Sequence, residues 1–130
     1  MVALNLEAFR LRLGAVLDPL PSVRLRPGDA RCAAVLGVFF PRADGIRLVF
    51  IRRAELGDTH AGQVAFPGGH LELKECACDA ALREANEEVG LDPEDVVVVG
   101  ALPDIVSIHT VRVTPIFAVA AQSPRLRADN

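Results

Sequence analysis

The chain has 130 residues, of which 51% are hydrophobic and 24% charged, and its formal net charge at pH 7 is −3. That length is typical of one domain with a single core, and the acidic balance argues against a sequence-independent grip on nucleic acid. No apolar run reaches the length of a membrane span, and charged residues interrupt the apolar N-terminus, so neither a membrane protein nor a signal peptide is predicted.

The N-terminal segment is predicted to form an amphipathic helix. Apolar residues recur there at helical spacing, and the helix is expected to end before Asp18-Pro19. The apolar stripe consists of Leu6, Phe9, Leu13, Leu17 and Leu20. Packing on the core is the simplest role for this helix, and a contact between two copies of the chain is the alternative. The helix and the loop after it make up residues 1–30 of a single domain spanning 1–130.

Strands are predicted on both sides of a central helix. The near-continuous apolar run at 32–40 is typical of a central strand, and Asp44-Gly45 indicates a hairpin that returns along 46–51. Pro115 lies within the last predicted strand, which favours an edge position or a bulge. The remaining predicted strands are 63–66, 96–99 and 111–119. Strands before and after a central helix favour an α/β fold with a mixed sheet.

The central helix, predicted at 75–89, has an acidic face. Residues three and four apart share a face, so Glu84, Glu87 and Glu88 point the same way. A solvated surface is the simpler interpretation of such a run. Carboxylates this close repel one another unless a cation lies among them, and hard oxygen ligands suit Mg²⁺ or Mn²⁺. The opposite face is an apolar stripe suited to a core, formed by Ala77, Ala81, Leu82, Ala85 and Val89.

The residues around the acidic face favour a binding site over a solvated surface. The Pro-Gly-Gly turn at 67–69 allows the backbone to approach a ligand closely. Arg83 lies four residues before Glu87 and can brace the carboxylates from the side. Gly90 stands where a left-handed helix C-cap is expected. One short segment therefore combines a glycine loop, a buried face and an acidic face.

The three cysteines, Cys32, Cys76 and Cys78, are an odd number without an obvious pairing. A structural zinc site needs four ligands at recognisable spacing, so zinc is not favoured. Small, partly buried thiols in a reducing cytoplasm are the better interpretation.

The run at 69–91 resembles the Nudix box of the Nudix hydrolases. That pattern is Gly, five residues, Glu, seven residues, Arg-Glu, an aliphatic, any residue, Glu-Glu, any residue, Gly and an aliphatic. Every fixed position is met, with Ala85 where a larger aliphatic is usual. A match at so many spaced positions is far more specific than a lone glycine motif. The resemblance implies an α/β/α sandwich with helices on both faces of a mixed sheet.

The resemblance also implies a ligand set for a divalent ion, Mg²⁺ or Mn²⁺. By their positions in the box, Glu84 and Glu88 correspond to direct ligands. Glu87 is a further ligand or holds water, and the backbone carbonyl of Gly69 faces the metal.

Two further box residues are expected to support catalysis. Glu75 acts through water or by pairing with Arg83, and Arg83 orients neighbouring carboxylates rather than touching substrate. Glu87 and Glu88 are candidates for the catalytic base. The base stays open, because some Nudix enzymes use a box glutamate and others an acid from a later loop.

The stretch before the box resembles the coenzyme A pyrophosphatase branch of the family. The matching positions are Arg53-Ala54, His60 and the run GQVAFPGG at 62–69. Gly57-Asp58 departs from the pattern, since the branch has Leu-Arg there. An aspartate at that position would repel a phosphate instead of binding it.

A set of substrate contacts follows from this second resemblance. Basic side chains before the box are candidates for gripping phosphates, and the glycines bring backbone close to the substrate. For His60, a loop histidine without a role is an equally good interpretation. The predicted substrate-binding residues are Arg52, Arg53, His60, Gly68 and Gly69.

Three functions fit these observations. The first is metal-dependent hydrolysis of coenzyme A to 4′-phosphopantetheine and adenosine 3′,5′-bisphosphate. The second is the same chemistry on a dNTP, a nucleotide sugar or a dinucleotide. The third is a Nudix-fold ligand-binding domain without turnover, although such domains usually lack box glutamates. In each case the partner is a small molecule rather than nucleic acid or a membrane, and a homodimer is compatible with all three.

The polar residues 125–130 resemble a connection between elements. Nudix domains usually carry another strand and a closing helix after this point. The fold is therefore expected to be truncated at the C-terminus or to be covered there by a partner subunit.

Overall fold

The main sheet is built around two parallel strands, Cys32–Arg42 and Arg112–Ala120. The computed structural model describes residues 6–19, 31–52, 63–107 and 110–127. The helices are α1, Leu6–Val16, and α2, Ala77–Val89, and a 3₁₀ turn spans Pro93–Asp95. The strands are β1 Cys32–Arg42, β2 Gly45–Leu48, β3 Ile51–Arg52, β4 Val64–Ala65, β5 Gly68–His70, β6 Val96–Ala101, β7 Ile105–Val106 and β8 Arg112–Ala120.

The sheet is mixed, as predicted. Its order is β2-β1-β8-β6, with β5 also paired to β1 and β7 also paired to β8. β1 and β8 run parallel, and the other pairs are antiparallel. β3 and β4 form a separate two-stranded ribbon. This arrangement places β1, the predicted central strand, between β8 on one side and both β2 and β5 on the other.

Helix α2 lies on one face of the sheet, where small side chains let it approach closely. Ala80, Ala81 and Ala85 are fully buried, and they contact a core that includes Leu36 and Ile116. Because alanine has no side chain beyond Cβ, the helix backbone sits near the strands, and the acidic residues on its flank reach the strand edge.

The opposite face of the sheet carries a row of aromatic rings. Phe39 contacts Phe9 of α1 edge-to-face at 5.0 Å between centroids and stacks on Phe117 at 6.0 Å. Phe66 continues the row from Phe117 and stacks on Phe50 at 4.8 Å. Such ring pairs stabilise beyond their buried area. With α2 on one face and α1 on the other, the three-layer arrangement is confirmed.

Two strand predictions were wrong in detail. The strand expected at 46–51 is divided, because β2 ends at Leu48 and the chain then leaves the sheet to pair β3 with β4. The hairpin forms, but Arg42 pairs with Gly45, so its turn residues are Ala43 and Asp44 rather than Asp44-Gly45.

Pro115 does not mark an edge strand. β8 lies inside the sheet between β1 and the pair β6 and β7. Leu102 N–H donates to Pro115 O at 3.0 Å. The Pro115 nitrogen, which carries no hydrogen, therefore faces the gap between the end of β6 and the start of β7. The sheet accepts proline there because the neighbouring strand is interrupted at that point.

The helix ends follow local capping chemistry. α1 ends at Val16, before Asp18-Pro19, as predicted. α2 begins two residues later than the predicted 75, because Cys76 is the N-cap and its Sγ accepts from Asp79 N at 3.4 Å.

All three cysteines are free. Within the described residues, no helix has the length and apolar character needed to cross a bilayer.

Gly90 provides a test of the α2 C-cap. Its φ is +72°, and a Cβ there would lie 2.9 Å from Nε of Arg127. We expect Gly90→Ala to lower the free energy of unfolding by about 1–2 kcal/mol, the strain of a left-handed non-glycine residue, before any clash is counted. Chemical denaturation measures this change.

Gly14→Ala is the matched control. Gly14 lies in α1, and a Cβ there would meet Val99 Cγ1 at an ordinary 3.5 Å. Because alanine favours helix, stability should rise by about 0.5–1 kcal/mol. Equal effects of the two substitutions would contradict the assigned C-cap.

Candidate functional site

The site forms where β5 passes beside α2. Leu36 N–H donates to Pro67 O at 2.9 Å, which fixes the Pro-Gly-Gly turn against β1. A Cβ on Gly68 would overlap the backbone oxygen of Ala34. A Cβ on Gly69 would lie 2.5 Å from the Glu84 carboxyl carbon. Gly68 is therefore needed because β1 lies too close for a side chain, and Gly69 because the Glu84 carboxylate of α2 does.

Two carboxylates of α2 lie along this strand. Glu84 packs against Gly69, and its side chain is 19% exposed. One turn later, Glu88 Oε1 accepts from Gly68 N at 3.2 Å. The i,i+4 spacing on the helix thus places successive carboxylates beside successive glycines of β5.

Arg83 holds the acidic residues together. Its Nε and Nη2 donate to the two carboxylate oxygens of Glu75 at 2.8 and 3.0 Å, a bidentate pair. Nη1 donates to Glu84 at 3.0 Å and to Glu87 at 3.3 Å. Nη2 also donates to His70 O at 3.1 Å. Arg83 is thereby saturated with protein acceptors, which suits the predicted orienting role.

The loop before α2 holds Glu75 for this contact. Glu72 N donates to Glu75 Oε1 at 2.9 Å, and Glu75 N donates to Glu72 O at 3.0 Å. Lys74, within this turn, has φ +65°, a left-handed conformation that is uncommon outside glycine. Backbone strain of this kind is concentrated at functional sites.

The Arg83–Glu75 pair shifts both pKa values. The hydrogen bonds from Arg83, with a further one from the Glu72 backbone, lower the pKa of Glu75 from 4.5 to about 2. The same contact raises the pKa of Arg83 above its ordinary value. Both groups are therefore charged throughout the physiological range.

The C-terminal end of α2 is fixed by a residue distant in sequence. Arg127 N donates to Val89 O at 2.8 Å, and the Arg127 side chain packs over Gly90. The last helical turn itself has no basic residue, so Arg127 supplies a cation near the negative end of the helix dipole. This contact anchors the turn that carries Glu87 and Glu88.

The structure brings together most of the predicted site residues but not all. Arg52 is exposed on β3, opposite Val64 of β4, in the separate ribbon. Arg53 and His60 lie outside the described residues. The residues that meet at the site are Gly68, Gly69, Glu75, Arg83, Glu84, Glu87 and Glu88.

Two residues that contribute to the site were not predicted from the sequence. Glu72 lies 3.8 Å from Arg83 and also bonds the Glu75 carboxylate through its backbone. The backbone oxygen of His70 accepts from Arg83. The three-residue spacing of Glu72 and Glu75 could have indicated a turn, but a backbone acceptor leaves no sequence signal.

Comparison with known proteins identifies the family. The model of the NUDIX domain matches residues 30–126. The chain is 42% identical over 118 residues to "Uncharacterized Nudix hydrolase NudL" of Klebsiella aerogenes, covering 90% of this chain and 95% of that protein. The chain belongs to the Nudix hydrolase family.

Two further comparisons concern length and fold. A NudL protein of Klebsiella pneumoniae is also 42% identical over 118 residues, but the chain spans only 59% of its length. The crystal structure of a C. elegans Ap4A hydrolase binary complex has a TM-score of 0.64 at 18% identity, covering 75% of this chain and 71% of that one. At that identity the likeness establishes the Nudix fold alone.

The donor set of this Nudix site suits a divalent ion, as is general in the family. Within the described ranges, no three acidic, histidine or cysteine side chains converge as a ready-made metal cage. The carboxylates instead accept hydrogen bonds, Glu84 and Glu87 from Arg83 and Glu88 from the Gly68 amide. Glu84 and Glu88 nevertheless lie beside neighbouring glycines of β5, and their carboxylate oxygens are the hard ligands that a divalent cation prefers.

Lowering the pH tests the Arg83–Glu75 pair. Because folding depresses the Glu75 pKa, its stabilising contribution is complete above about pH 4.5 and is lost as pH falls toward about 2. We expect Glu75→Gln to destabilise the protein at neutral pH, and the difference from wild type to shrink across that window. Denaturant unfolding at a series of pH values measures it.

Glu72→Gln is the control for this experiment. The Glu72 carboxylate is 69% exposed and 3.8 Å from Arg83, so its removal should change stability little at any pH. A Glu75→Gln deficit that stays constant from pH 7 to 2 would refute the assigned ion pair.

Proposed function

We propose that this Nudix protein uses a divalent ion, Mg²⁺ or Mn²⁺, to hydrolyse the pyrophosphate bond of coenzyme A. Water adds to one phosphorus and the bridging P–O bond breaks, giving 4′-phosphopantetheine and adenosine 3′,5′-bisphosphate. Family membership supports hydrolysis of pyrophosphate bonds in general. The coenzyme A substrate and the choice of metal are our own extension.

One observation carries the chemical part of the proposal. Glu84 and Glu88 lie against the backbone of Gly69 and Gly68, while Arg83 ties the neighbouring acids into one cluster. A solvated acidic face would not need glycines opposite its carboxylates, nor an arginine whose donors are all taken up by these acids and the His70 carbonyl. The arrangement favours a site that binds cations beside an exposed backbone strand.

Each residue has a defined task in this proposal. Glu84 and Glu88 would hold the metal, with Glu87 as a further ligand or holder of water. A bound divalent ion lowers the pKa of a coordinated water and neutralises developing phosphate charge. The β5 backbone at Gly68 and Gly69 would lie beside the bound phosphate, and Arg83 keeps the carboxylates in position.

Sequence and surface features support coenzyme A within this chemistry. The run GQVAFPGG at 62–69 resembles the coenzyme A pyrophosphatase branch. In the same region, Phe50 and Val64 are 51% and 65% exposed, and Phe50 stacks on Phe66 just before the Pro-Gly-Gly turn. Exposed apolar side chains on and beside the β3–β4 ribbon, which leads into the Pro-Gly-Gly turn, suit a substrate that carries an adenine or pantetheine portion.

A second candidate substrate class is a dNTP, nucleotide sugar or dinucleotide. Asp58 departs from the coenzyme A pattern, and a protein of similar fold is an Ap4A hydrolase. A ligand-binding domain without turnover is disfavoured because all four box glutamates are present. A cytoplasmic location and a homodimer formed through α1, whose Leu11 and Val16 are exposed, stay part of the proposal.

Glu88→Gln tests the metal-binding role. Gln keeps an oxygen that can accept from Gly68 N but loses the charge that a metal needs. We expect kcat/KM with Mg²⁺ to fall about 100-fold or more. Thermal stability in metal-free buffer should be unchanged or higher, since one of three repelling carboxylates is removed.

Glu94→Gln is the matched control, since Glu94 is an exposed acid on the 3₁₀ turn. It should leave kcat/KM unchanged. A clear drop in metal-free stability for Glu88→Gln would mean that Glu88 is structural, and its assignment as a ligand would be wrong.

A substrate panel tests the reaction itself. The protein is incubated with Mg²⁺ and, in turn, coenzyme A, an ADP-sugar, a dinucleoside polyphosphate and dNTPs, with products identified by mass. We expect coenzyme A to have the highest kcat/KM. Faster cleavage of another compound would move the assignment to that class, and retained Mg²⁺ binding without any turnover would favour a binding domain.

A further inference from the structure

The first residue of β8 places a cation on the same face of the sheet as the box. Side chains alternate along a strand, so Arg112 shares the α2 face with Thr114 and Ile116. In register, Arg112 is opposite Cys32 of β1 and Val106 of β7. The residue as a whole is half-buried, so part of it reaches solvent.

The Arg112 guanidinium has hydrogen-bonding capacity that the described residues do not use. Its Nε and Nη1 are buried and have no hydrogen-bond acceptor in the described part of the chain. Asp104, on the segment between β6 and β7, accepts from Thr114 Oγ1 at 2.7 Å and makes no hydrogen bond to Nε or Nη1 of Arg112. Buried charged donors without acceptors are strongly destabilising, and they are rare unless a ligand uses them.

The distance between Arg112 and the box is short enough for one nucleotide to reach both. Gly69 pairs with Ala34 and Arg112 with Cys32, on opposite sides of β1. Two strand spacings and a two-residue offset put the Cα atoms of Gly69 and Arg112 roughly 12 Å apart. An anion bound at Arg112 can therefore belong to the molecule whose pyrophosphate lies at the box.

The orientation of α2 adds to the attraction for an anion. Glu88 contacts Gly68, and Arg83, five residues earlier, contacts the His70 carbonyl. The N-terminus of α2 therefore points toward the His70 end of β5, which is the end of the sheet where Arg112 lies. A helix N-terminus carries partial positive charge and favours a negative group in its vicinity.

The loop that leads into Arg112 is held in an unusual conformation. Thr110 has φ +59°, rare for a β-branched residue. Ser107 closes the turn, since its backbone N donates to Val111 O at 2.9 Å and its Oγ accepts from Val111 N at 3.2 Å. A strained residue held by such bonds sets where β8 begins, and hence where Arg112 is placed.

We propose that Arg112 binds a second phosphate group of the substrate, separate from the scissile pyrophosphate; on coenzyme A this is the ribose 3′-phosphate. The inference rests on the proposed function. Arg83 cannot serve, because its donors are already directed at Glu75, Glu84, Glu87 and the His70 carbonyl. A guanidinium suits this task because its planar fork matches two phosphate oxygens at once.

Binding of one proposed product and of its analogue without the 3′-phosphate tests the proposal without catalysis. Adenosine 3′,5′-bisphosphate and adenosine 5′-monophosphate differ by the 3′-phosphate, and their affinities are measured by calorimetry in the presence of Mg²⁺. We expect wild type to prefer the bisphosphate about tenfold or more, the range of one charged hydrogen-bonding contact. Arg112→Met should abolish that preference, and Arg112→Lys should keep part of it.

Folding of the variants is checked by thermal unfolding without ligand. Arg112→Met should be at least as stable as wild type, because it removes buried unpaired donors. Arg42→Met, at an exposed arginine of β1, is the control and should keep the full preference. Equal affinities of wild type for the two nucleotides, or a preference retained in Arg112→Met, would overturn the proposal.

Hydrolysis separates this inference from the proposed function. Wild type should cleave coenzyme A faster than 3′-dephospho-coenzyme A, and Arg112→Met should cleave the two equally. Equal cleavage by wild type would sink the Arg112 assignment and leave the pyrophosphatase activity standing. Cleavage of neither, together with a bisphosphate preference in binding, would refute the activity and retain the anion site.

Discussion

The site depends on the position of one guanidinium, that of Arg83. Four acidic side chains and a backbone carbonyl surround it, and the Glu75 pair is bidentate at 2.8 and 3.0 Å. Without a cation at this point, the carboxylates of the loop and of the helix would repel one another across a short gap. Because Arg83 also bonds the β5 backbone at His70, it sets the helix relative to the strand as well as the acids relative to each other.

That role demands a close approach of helix and sheet, which small residues provide. The alanines on the inner face of α2 bring its backbone down onto β1, and Gly69 leaves space for the Glu84 carboxylate. A larger residue on either element would push Glu84 away from the strand and lengthen the bonds of Arg83. Alanine at position 85, the one soft departure from the box pattern, is fully buried and fits this requirement.

The parts predicted well from sequence are those in which one residue type has one physical purpose. Glycine at 90 predicted a left-handed cap, and the spacing of Glu84 and Glu88 predicted a shared face, because both follow from helix geometry alone. The edge position predicted from Pro115 was wrong, because the tolerance of a strand for proline depends on the partner strand. The break between β6 and β7 leaves no signal in the sequence of β8. The prediction of one continuous strand at 46–51 was wrong for a similar reason. The alternation within that run is compatible with pairing to β1 and with pairing to β4.

Arg112 was beyond prediction for a different reason. Its sequence context is an apolar strand, where an arginine usually extends its charge to solvent. The alternation of side chains along β8 puts it on the α2 face, and within the described residues no acceptor reaches its Nε and Nη1. Sequence can show which acids cluster on a helix, but it cannot show which cation the fold leaves without a partner.

The distribution of charge in the molecule constrains how a polyanion can bind. The chain has a net charge of −3, and its acidic residues are concentrated at the box, so a pyrophosphate approaching β5 meets a field of its own sign. Arg83 cannot neutralise that charge, since its donors are already engaged. A cation that binds the phosphates must therefore come from outside the Arg83 cluster, and the two proposed sources are a metal ion at Glu84 and Glu88 and the guanidinium of Arg112. In the proposed function, substrate and metal would bind together more readily than either alone, because each would offset the charge that disfavours the other.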